Sequence, residues 1–301
     1  MIKGDIVSVL SSSAESAALV ASKLGKKHES DGLGIYYRKK EDHIRSVLVS
    51  SPPYPEKVLT AAEALTLSSA FLFAPNRELS WSDGELGLLI ESSGLRGTII
   101  TDSEDDIRRT FKGLAISSMD MKGDVDSYES QAEAQEGGFV YLDRLFSVKG
   151  VGTVALGFSF TDIAVHDRLL SLPSRKEVEV RSIQVLDEDQ GSVGRGVRVG
   201  LALKNVELSE VKDAYALVRP ETRTARSLNG TIRTFPWMQV GDGQLHVVAG
   251  GISSPCEARG DGSGSYRLEL NREVPLLPRY VVLNLNVKPG KSRVVGSLLV
   301  G

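Results

Sequence analysis

The spacing of apolar residues changes partway along the chain. In the first third, short apolar runs alternate with stretches of three-to-four spacing. Ile6-Val7-Ser8-Val9-Leu10 reads as a buried strand, and Glu15 to Leu24 as a helix with Ala17, Ala18, Ala21 and Leu24 on one face. Ile44 to Val49 is a second strand and Glu56 to Leu67 a second helix. Ala70 to Ala74 is a strand ended by Pro75-Asn76. Ser82 to Ser92 reads as a helix with Ser82 as its N-cap, and Thr98 to Thr101 as a further strand. Such alternation predicts a mostly parallel sheet covered on both faces by helices. Residues 119–137 are polar and predict a solvated linker.

Beyond the linker the pattern becomes short strands, with turn signals about every ten residues. Val140 to Val148, Gly152 to Phe160, Asp167 to Leu172, Glu177 to Leu186 and Gly196 to Lys204 form one group of candidate strands. Thr231 to Met238, Gln244 to Val248, Glu257 to Arg259, Tyr266 to Leu270, Tyr280 to Val287 and Arg293 to Val300 form another. Two antiparallel β-barrels of about 80 residues each fit this pattern. The predicted organisation is an α/β domain over residues 1–134, a β-barrel over 135–218 and a second β-barrel over 219–301.

Composition narrows the function classes. The chain has 301 residues, 41% hydrophobic and 25% charged, which excludes intrinsic disorder. Cys256 is the single cysteine, so no intrachain disulfide forms, as expected in a reducing compartment. No apolar run approaches the ~18 residues that span a bilayer. Lys3 and Asp5 leave no room for a signal peptide, so a cytoplasmic protein is expected. The four histidines (His28, His43, His166 and His246) are scattered, and with one cysteine no metal-ligand spacing is present. Net charge is −3, so contact with nucleic acid would depend on local basic patches. Lys23, Lys26, Lys27, Arg38, Lys39, Lys40 and Arg45 make one patch, offset in sequence by Glu29, Asp31, Glu41 and Asp42. Arg219, Arg223, Arg226 and Arg233 make a second.

One stretch is specific. Asp143-Arg144-Leu145-Phe146-Ser147-Val148-Lys149-Gly150-Val151-Gly152-Thr153-Val154-Ala155-Leu156-Gly157 resembles the pattern D-R-x-F-x-[IV]-x-G-x-G-T-V-x-x-G, which opens the second domain of translational GTPases of the elongation-factor-Tu superfamily. Val165-His166-Asp167-Arg168-Leu169 resembles the next block, with His166 in place of a glycine. Val178-Glu179-Val180-Arg181-Ser182-Ile183-Gln184 and Gly196-Val197-Arg198-Val199-Gly200-Leu201-Ala202-Leu203 follow in the family's order. Their wording is most similar to the archaeal selenocysteine-specific factors, the SelB family. Arg293-Val294-Val295-Gly296 resembles the end of that family's third domain. The SelB family also has a fourth domain, and the expectation is that this protein lacks it.

The resemblance implies that the first domain is a GTPase fold, yet its nucleotide motifs depart from the pattern. Where the family has G-x-x-x-x-G-K-[ST], whose backbone and lysine cradle the phosphates, this chain has Ser11-Ser12-Ser13-Ala14-Glu15-Ser16-Ala17-Ala18. Ser16, Ala17 and Ala18 stand at the second glycine, the lysine and the magnesium-binding hydroxyl. Where the family has D-x-P-G-H, Ser50 replaces the aspartate, Pro53 the glycine, and Tyr54 or Pro55 the histidine. Where it has [NT]-K-x-D, Thr101-Asp102-Ser103-Glu104 stands. Lost together, these remove the main electrostatic contributions to phosphoryl transfer. The expectation is a pseudo-GTPase with neither GTP nor magnesium as cofactor and no hydrolytic activity.

Three functions remain open. The first is an elongation-factor-like protein that binds tRNA or the ribosome. The resemblance places Arg144 near the pocket for an esterified amino acid, and Arg219, Arg223, Arg226 and Arg233 along a tRNA arm. The second is a protein-interaction scaffold built on the inactive GTPase fold. The third is a GTPase with a remodelled nucleotide site.

Overall fold

The computed structural model describes residues 1–301 except 29–32, Ser127, Ser130, Gln131, Glu133, Gln239, Gly241, Asp242, Ser263 and Pro289. Glu29 and Asp31, two of the counter-charges to the first basic patch, lie outside the described residues.

The N-terminal domain is a seven-stranded sheet flanked by helices. Its elements run β1 (Lys3–Leu10), α1 (Ala14–Leu24), β2 (Lys26–His28), β3 (Leu33–Lys40), β4 (His43–Ser50), α2 (Val58–Leu67), β5 (Ala70–Phe73), α3 (Trp81–Ser93), β6 (Gly97–Ile100), α4 (Glu104–Thr110) and β7 (Asp120–Lys122). The sheet order is β2-β3-β4-β1-β5-β6-β7. From β4 to β7 every pairing is parallel, and the β2–β3–β4 edge is antiparallel. The central strands β1 and β5 are almost wholly buried, as a sheet covered on both faces requires.

Several local expectations change. Ser80, not Ser82, caps α3: its side chain accepts from Asp83 N while Asp83 returns the bond to the cap, a reciprocal box that sets the cap two residues earlier. The predicted linker is partly structured. Asp120–Lys122 forms an edge strand, and Val125 and Tyr128 are buried against the α1 side of the sheet. The Arg45 guanidinium lies 5.3 Å from the centre of the Tyr128 ring. Lys26–His28 and Leu33–Lys40, read from sequence as a basic patch, are the two strands of an edge hairpin.

Two closed six-stranded barrels follow. In the first, β8 (Phe139–Val148), β9 (Gly152–Ser159), β10 (Ile163–Ala164), β11 (Arg168–Leu172), β12 (Glu177–Val185), β13 (Glu188–Gln190), β14 (Ser192–Val193), β15 (Arg198–Lys204) and β16 (Ala216–Val218) succeed one another. The ring is β11-β16-β8-β9-β15-β12, closed by β12 on β11. The second barrel contains β17 (Thr224–Thr234), β18 (Gly243–Ala249), β19 (Ile252–Gly260), β20 (Ser265–Pro275), β21 (Arg279–Leu283) and β22 (Val294–Val300), in the ring order β17-β20-β19-β18-β21-β22. Strand β17 begins at Thr224 rather than Thr231 because its first residues pair with Val274 and Pro275 of β20.

The three bodies share packing. One apolar cluster joins Ile6 of the sheet, Phe139 of the first barrel and Leu228 of the second. The sheet meets the first barrel backbone to backbone: Gly4 N donates to Arg195 O at 3.0 Å. A Cβ on Gly196, which has φ +77°, would stand 2.2 Å from Gly4 O, so only glycine permits this approach. Against the second barrel, Glu63 of α2 accepts from Ser253 Oγ at 2.6 Å, and Thr66 accepts from Gly251 N at 3.2 Å.

Candidate functional site

The residues matching nucleotide motifs do converge. Ser11–Ala18, Ser50–Tyr54 and Thr101–Glu104 follow β1, β4 and β6, which run parallel, so all three segments meet at one edge of the sheet.

What they form there is closed on itself. Strand β1 ends at Leu10 and α1 starts at Ala14, so only Ser11, Ser12 and Ser13 join them. That is too short to wrap a phosphate. Several donors in and just after it are also occupied. Ser13 N donates to Ser11 Oγ at 3.2 Å, Ser16 N to Ser13 Oγ at 3.2 Å, and Ala17 N to Ser13 O at 3.0 Å. Glu15 stands in the first turn of α1, where its charge favours the positive helix end. Next to the turn lies the fully buried carboxylate of Asp83, which accepts from Ser12 Oγ at 2.6 Å, Asn76 N at 3.2 Å, and Ser80 N at 2.9 Å. A phosphate would meet a buried negative charge there.

The other two segments are built in as well. Ser50 is the buried last residue of β4, and Pro53 O accepts from Glu56 N. Tyr54 turns inward, with its hydroxyl 2.9 Å from Glu85 Oε2 and 3.0 Å from Ser82 O. Burial and the adjacent Glu85 carboxylate push its phenol far above the usual range. Arg293 of the second barrel closes this knot. Its Nη2 lies 2.5 Å from Glu85 Oε2, its backbone N donates to Glu85 Oε1 at 2.6 Å, and its guanidinium covers the Tyr54 ring at 5.7 Å. Thr101 Oγ1 accepts from Ser103 N at 3.0 Å, Asp102 is exposed, and Glu104 pairs with Arg108 at 3.2 Å.

A different place is open. A cavity of about 480 Å³ lies between the outer wall of the first barrel and the β2–β3 hairpin. Phe146, Val154, Leu156 and Ala202, from β8, β9 and β15, make an apolar floor bordered by Ser182 and Gln184 of β12. Tyr37 and His28, in edge-on contact at 5.4 Å, wall it from the hairpin. Leu186 and Asp187 line it from a turn in which both hold positive φ (49° and 64°), a conformation unusual for such side chains. Arg198 lies at the margin, pairing with Asp143 Oδ2 at 2.8 Å and hydrogen bonding Tyr37. Burial raises the Asp143 carboxyl above its ordinary range, opposed by Arg198, and burial pushes the Tyr37 phenol up to about 12.

Arg144 does not line the cavity but stands beside it: it pairs in register with Leu156, and its guanidinium lies 5.5 Å from the centre of the Phe146 ring. The other proposed RNA contacts do not line the cavity either. Arg219 is held in the first barrel by Thr161 Oγ1 at 2.9 Å and Asp167 at 3.0 Å. Arg223, Arg226 and Arg233 are exposed on and beside β17. Tyr37, Leu186 and Arg198 were not singled out from sequence. Two signals were present: apolar residues two apart at outward strand positions, and Arg198 inside a matched block. Among the described residues no cluster of three or more His, Cys, Asp or Glu is placed to hold a metal. No helix of the described residues is long and apolar enough to cross a membrane.

Comparison with known proteins bears on both places. No family model matches the chain. It is 28% identical over 273 residues to an uncharacterized protein of Methanocaldococcus jannaschii, covering 85% of this chain and 87% of that protein. It is 33% identical over 119 residues to the selenocysteine-specific elongation factor of the same organism; that stretch is 39% of this chain but 23% of the factor. The fold is that of translation elongation factor SelB from Methanococcus maripaludis. The TM-score is 0.79 to that protein with the GTP analogue GppNHp, at 16% identity over 99% of this chain and 79% of that one. A bacterial selenocysteine-specific factor, EF-Sec, gives 0.78 at 16% identity, over the whole of this chain and 58% of its own. The chain is SelB-like in fold and, over part of its length, in sequence.

Proposed function

We propose that this chain is an elongation-factor-like protein that has lost guanine-nucleotide turnover and holds the aminoacylated end of a tRNA at the first barrel, on or off the ribosome. The observation that carries the reading is the contrast in occupancy. The turn after β1 commits Ser13 N and Ser16 N to its own serines and Ser12 Oγ to buried Asp83, while the cavity beneath the β2–β3 hairpin is open.

Basic side chains at the cavity mouth suit a polyanion. Lys26 pairs in register with Tyr37 and so projects from the same hairpin face, and Arg144 stands on the Phe146 ring. Phosphate contacts of this kind supply affinity without sequence reading, and shape and single-stranded ends supply selectivity in RNA. Without a nucleotide switch, release depends on the RNA's own equilibrium or on a competing partner.

The test has two parts. Protein crosslinked in its native cells and sequenced for attached RNA is expected to yield tRNA, with binding that weakens steeply as salt rises. Calorimetric titration with GDP and GTP plus magnesium is expected to show no binding at millimolar nucleotide. Nucleotide binding would return the chain to the remodelled-GTPase reading.

A second reading, a protein-docking scaffold, draws on another cleft. About 760 Å³ opens between α3 and the second barrel, lined by Trp81 and Trp237, which are 49% and 66% exposed. These are the chain's two tryptophans. A recurrent protein partner recovered without RNA would favour it.

A further inference from the structure

We infer that the first-barrel cavity takes an uncharged, apolar aminoacyl group and disfavours an anionic one; this rests on the aminoacyl-RNA reading above. The outer wall of a barrel in water carries polar side chains at alternate positions. Here that alternation fails in one patch. Ala155 points inward and is fully buried, while its neighbours Val154 and Leu156 point outward and stay partly exposed. Strand register sets them in rows: Phe146 beside Val154 beside Ala202, and Arg144 beside Leu156 beside Gly200. At Gly200 the floor has no side chain, and a Cβ there would come to 3.3 Å from Leu156 Cδ2.

The charge within reach is already spent. The Arg198 side chain is only 11% exposed, and its guanidinium is committed to Asp143 and Tyr37. Asp187 adds a negative group at the mouth. An anionic side chain reaching the floor would give up its water and find, of the arginines and lysines lining it, Arg198 alone, already paired with Asp143, whereas an apolar one leaves water for a matching wall. Charge complementarity identifies the occupant as the end of an RNA rather than a wholly apolar ligand. Lys26 on the hairpin, Arg144 on β8 and Arg181 on β12, whose Nη1 reaches Val151 O at 3.1 Å, surround an apolar floor with cations. Phosphates would meet the rim and the esterified group the floor.

The test uses the full chain and short single-stranded RNAs whose 3′-terminal ribose carries amide-linked leucine, amide-linked aspartate, or no amino acid, with affinity read by calorimetry. The leucyl RNA is expected to bind at least tenfold more tightly than the bare RNA, and the aspartyl RNA no more tightly. Ala202→Trp, which fills the floor, is expected to erase the leucine advantage, so that leucyl and bare RNA bind alike. Leu156→Lys, at a partly exposed site that puts folding less at risk, is expected to turn the preference toward the aspartyl RNA. Aspartyl binding equal to or tighter than leucyl binding in the unaltered chain would overturn the inference while leaving the aminoacyl reading intact. Identical affinities for all three RNAs, unchanged by either substitution, would overturn both.

Discussion

The sheet edge beyond β1 and the outer wall of the first barrel differ in what their side chains lack. At the sheet edge, polar groups satisfy one another: three serines cap a short turn, Asp83 gathers Ser12, Asn76 and Ser80, and Tyr54, Glu85 and Arg293 form a buried knot. On the barrel wall, Phe146, Val154 and Leu156 face a cavity that no other described residue fills. On the function proposed above, a fold built around one ligand has converted that site to internal structure and kept another receptive. The difference shows in residue type, polar at the sheet edge and apolar on the wall, and in bonding.

The largest expected effect tests whether the sheet edge is structural. Glu85→Ala would strand Arg293 and the Tyr54 hydroxyl, and breaking a buried ion pair by removing one partner costs about 3–5 kcal/mol. Urea denaturation would read it. A loss under about 1 kcal/mol would mean that the Tyr54 loop is free to rearrange, as a working nucleotide switch requires.

Asp83→Ala is next. It removes the acceptor shared by Ser12, Asn76 and Ser80 and one half of the α3 capping box, and is expected to cost about 1–3 kcal/mol. It also sharpens the comparison. With that carboxylate gone the turn is still only three residues long and Ser13 N and Ser16 N stay bonded to serine hydroxyls, so GDP binding is not expected to appear in calorimetry. Its appearance would show that Asp83 alone closes the site.

Smaller effects belong to the barrel wall. Leu156→Glu places a carboxylate on a partly exposed floor position, so stability should shift by under about 1 kcal/mol. Affinity for an aminoacylated RNA should fall about tenfold, or about 1.4 kcal/mol. Lys26→Glu at the rim should weaken all RNAs alike and flatten the salt dependence, with no change in preference among aminoacyl groups. An equal response of both variants across RNAs would deny the floor a part in selectivity.

Much of this architecture was legible in the chain. Apolar spacing showed the α/β domain and the two barrels, because buried strands and amphipathic helices carry their period in their own residues. The β2–β3 hairpin was not legible: Lys26, Lys27, Arg38, Lys39 and Lys40 dominate its composition, and as an edge hairpin it exposes most of its side chains. The sheet-edge departures at Ser11, Ser50 and Asp102 could be seen only against a family pattern, and the bonds that close the turn could not be seen at all. Asp83 reaches Ser12 across 71 positions, and Arg293 reaches Glu85 across 208. The cavity was hidden for the same reason. Val154 and Leu156 look like any barrel strand until Tyr37 arrives from the other domain.

The smallest expected effect lies between the two regions, where α2 meets the second barrel. Burial raises the Glu63 carboxyl above its usual value of 4.5, opposed by the bond from Ser253 and the charges of Arg272 and Lys57. The folded chain therefore holds that proton more tightly than the unfolded chain. Its contribution to stability is greatest below pH 4.5 and is lost as pH rises from there through the raised folded value. Glu63→Gln keeps an acceptor for Ser253 and removes the titration. Compared with the unaltered chain in urea titrations from pH 4 to 8, the variant should gain stability above this window, by under about 1 kcal/mol, and lose part of the slope. The opposite sign would mean that Arg272 and Lys57 outweigh burial, making Glu63 one more satisfied polar group like those at the sheet edge rather than a strained one at the joint.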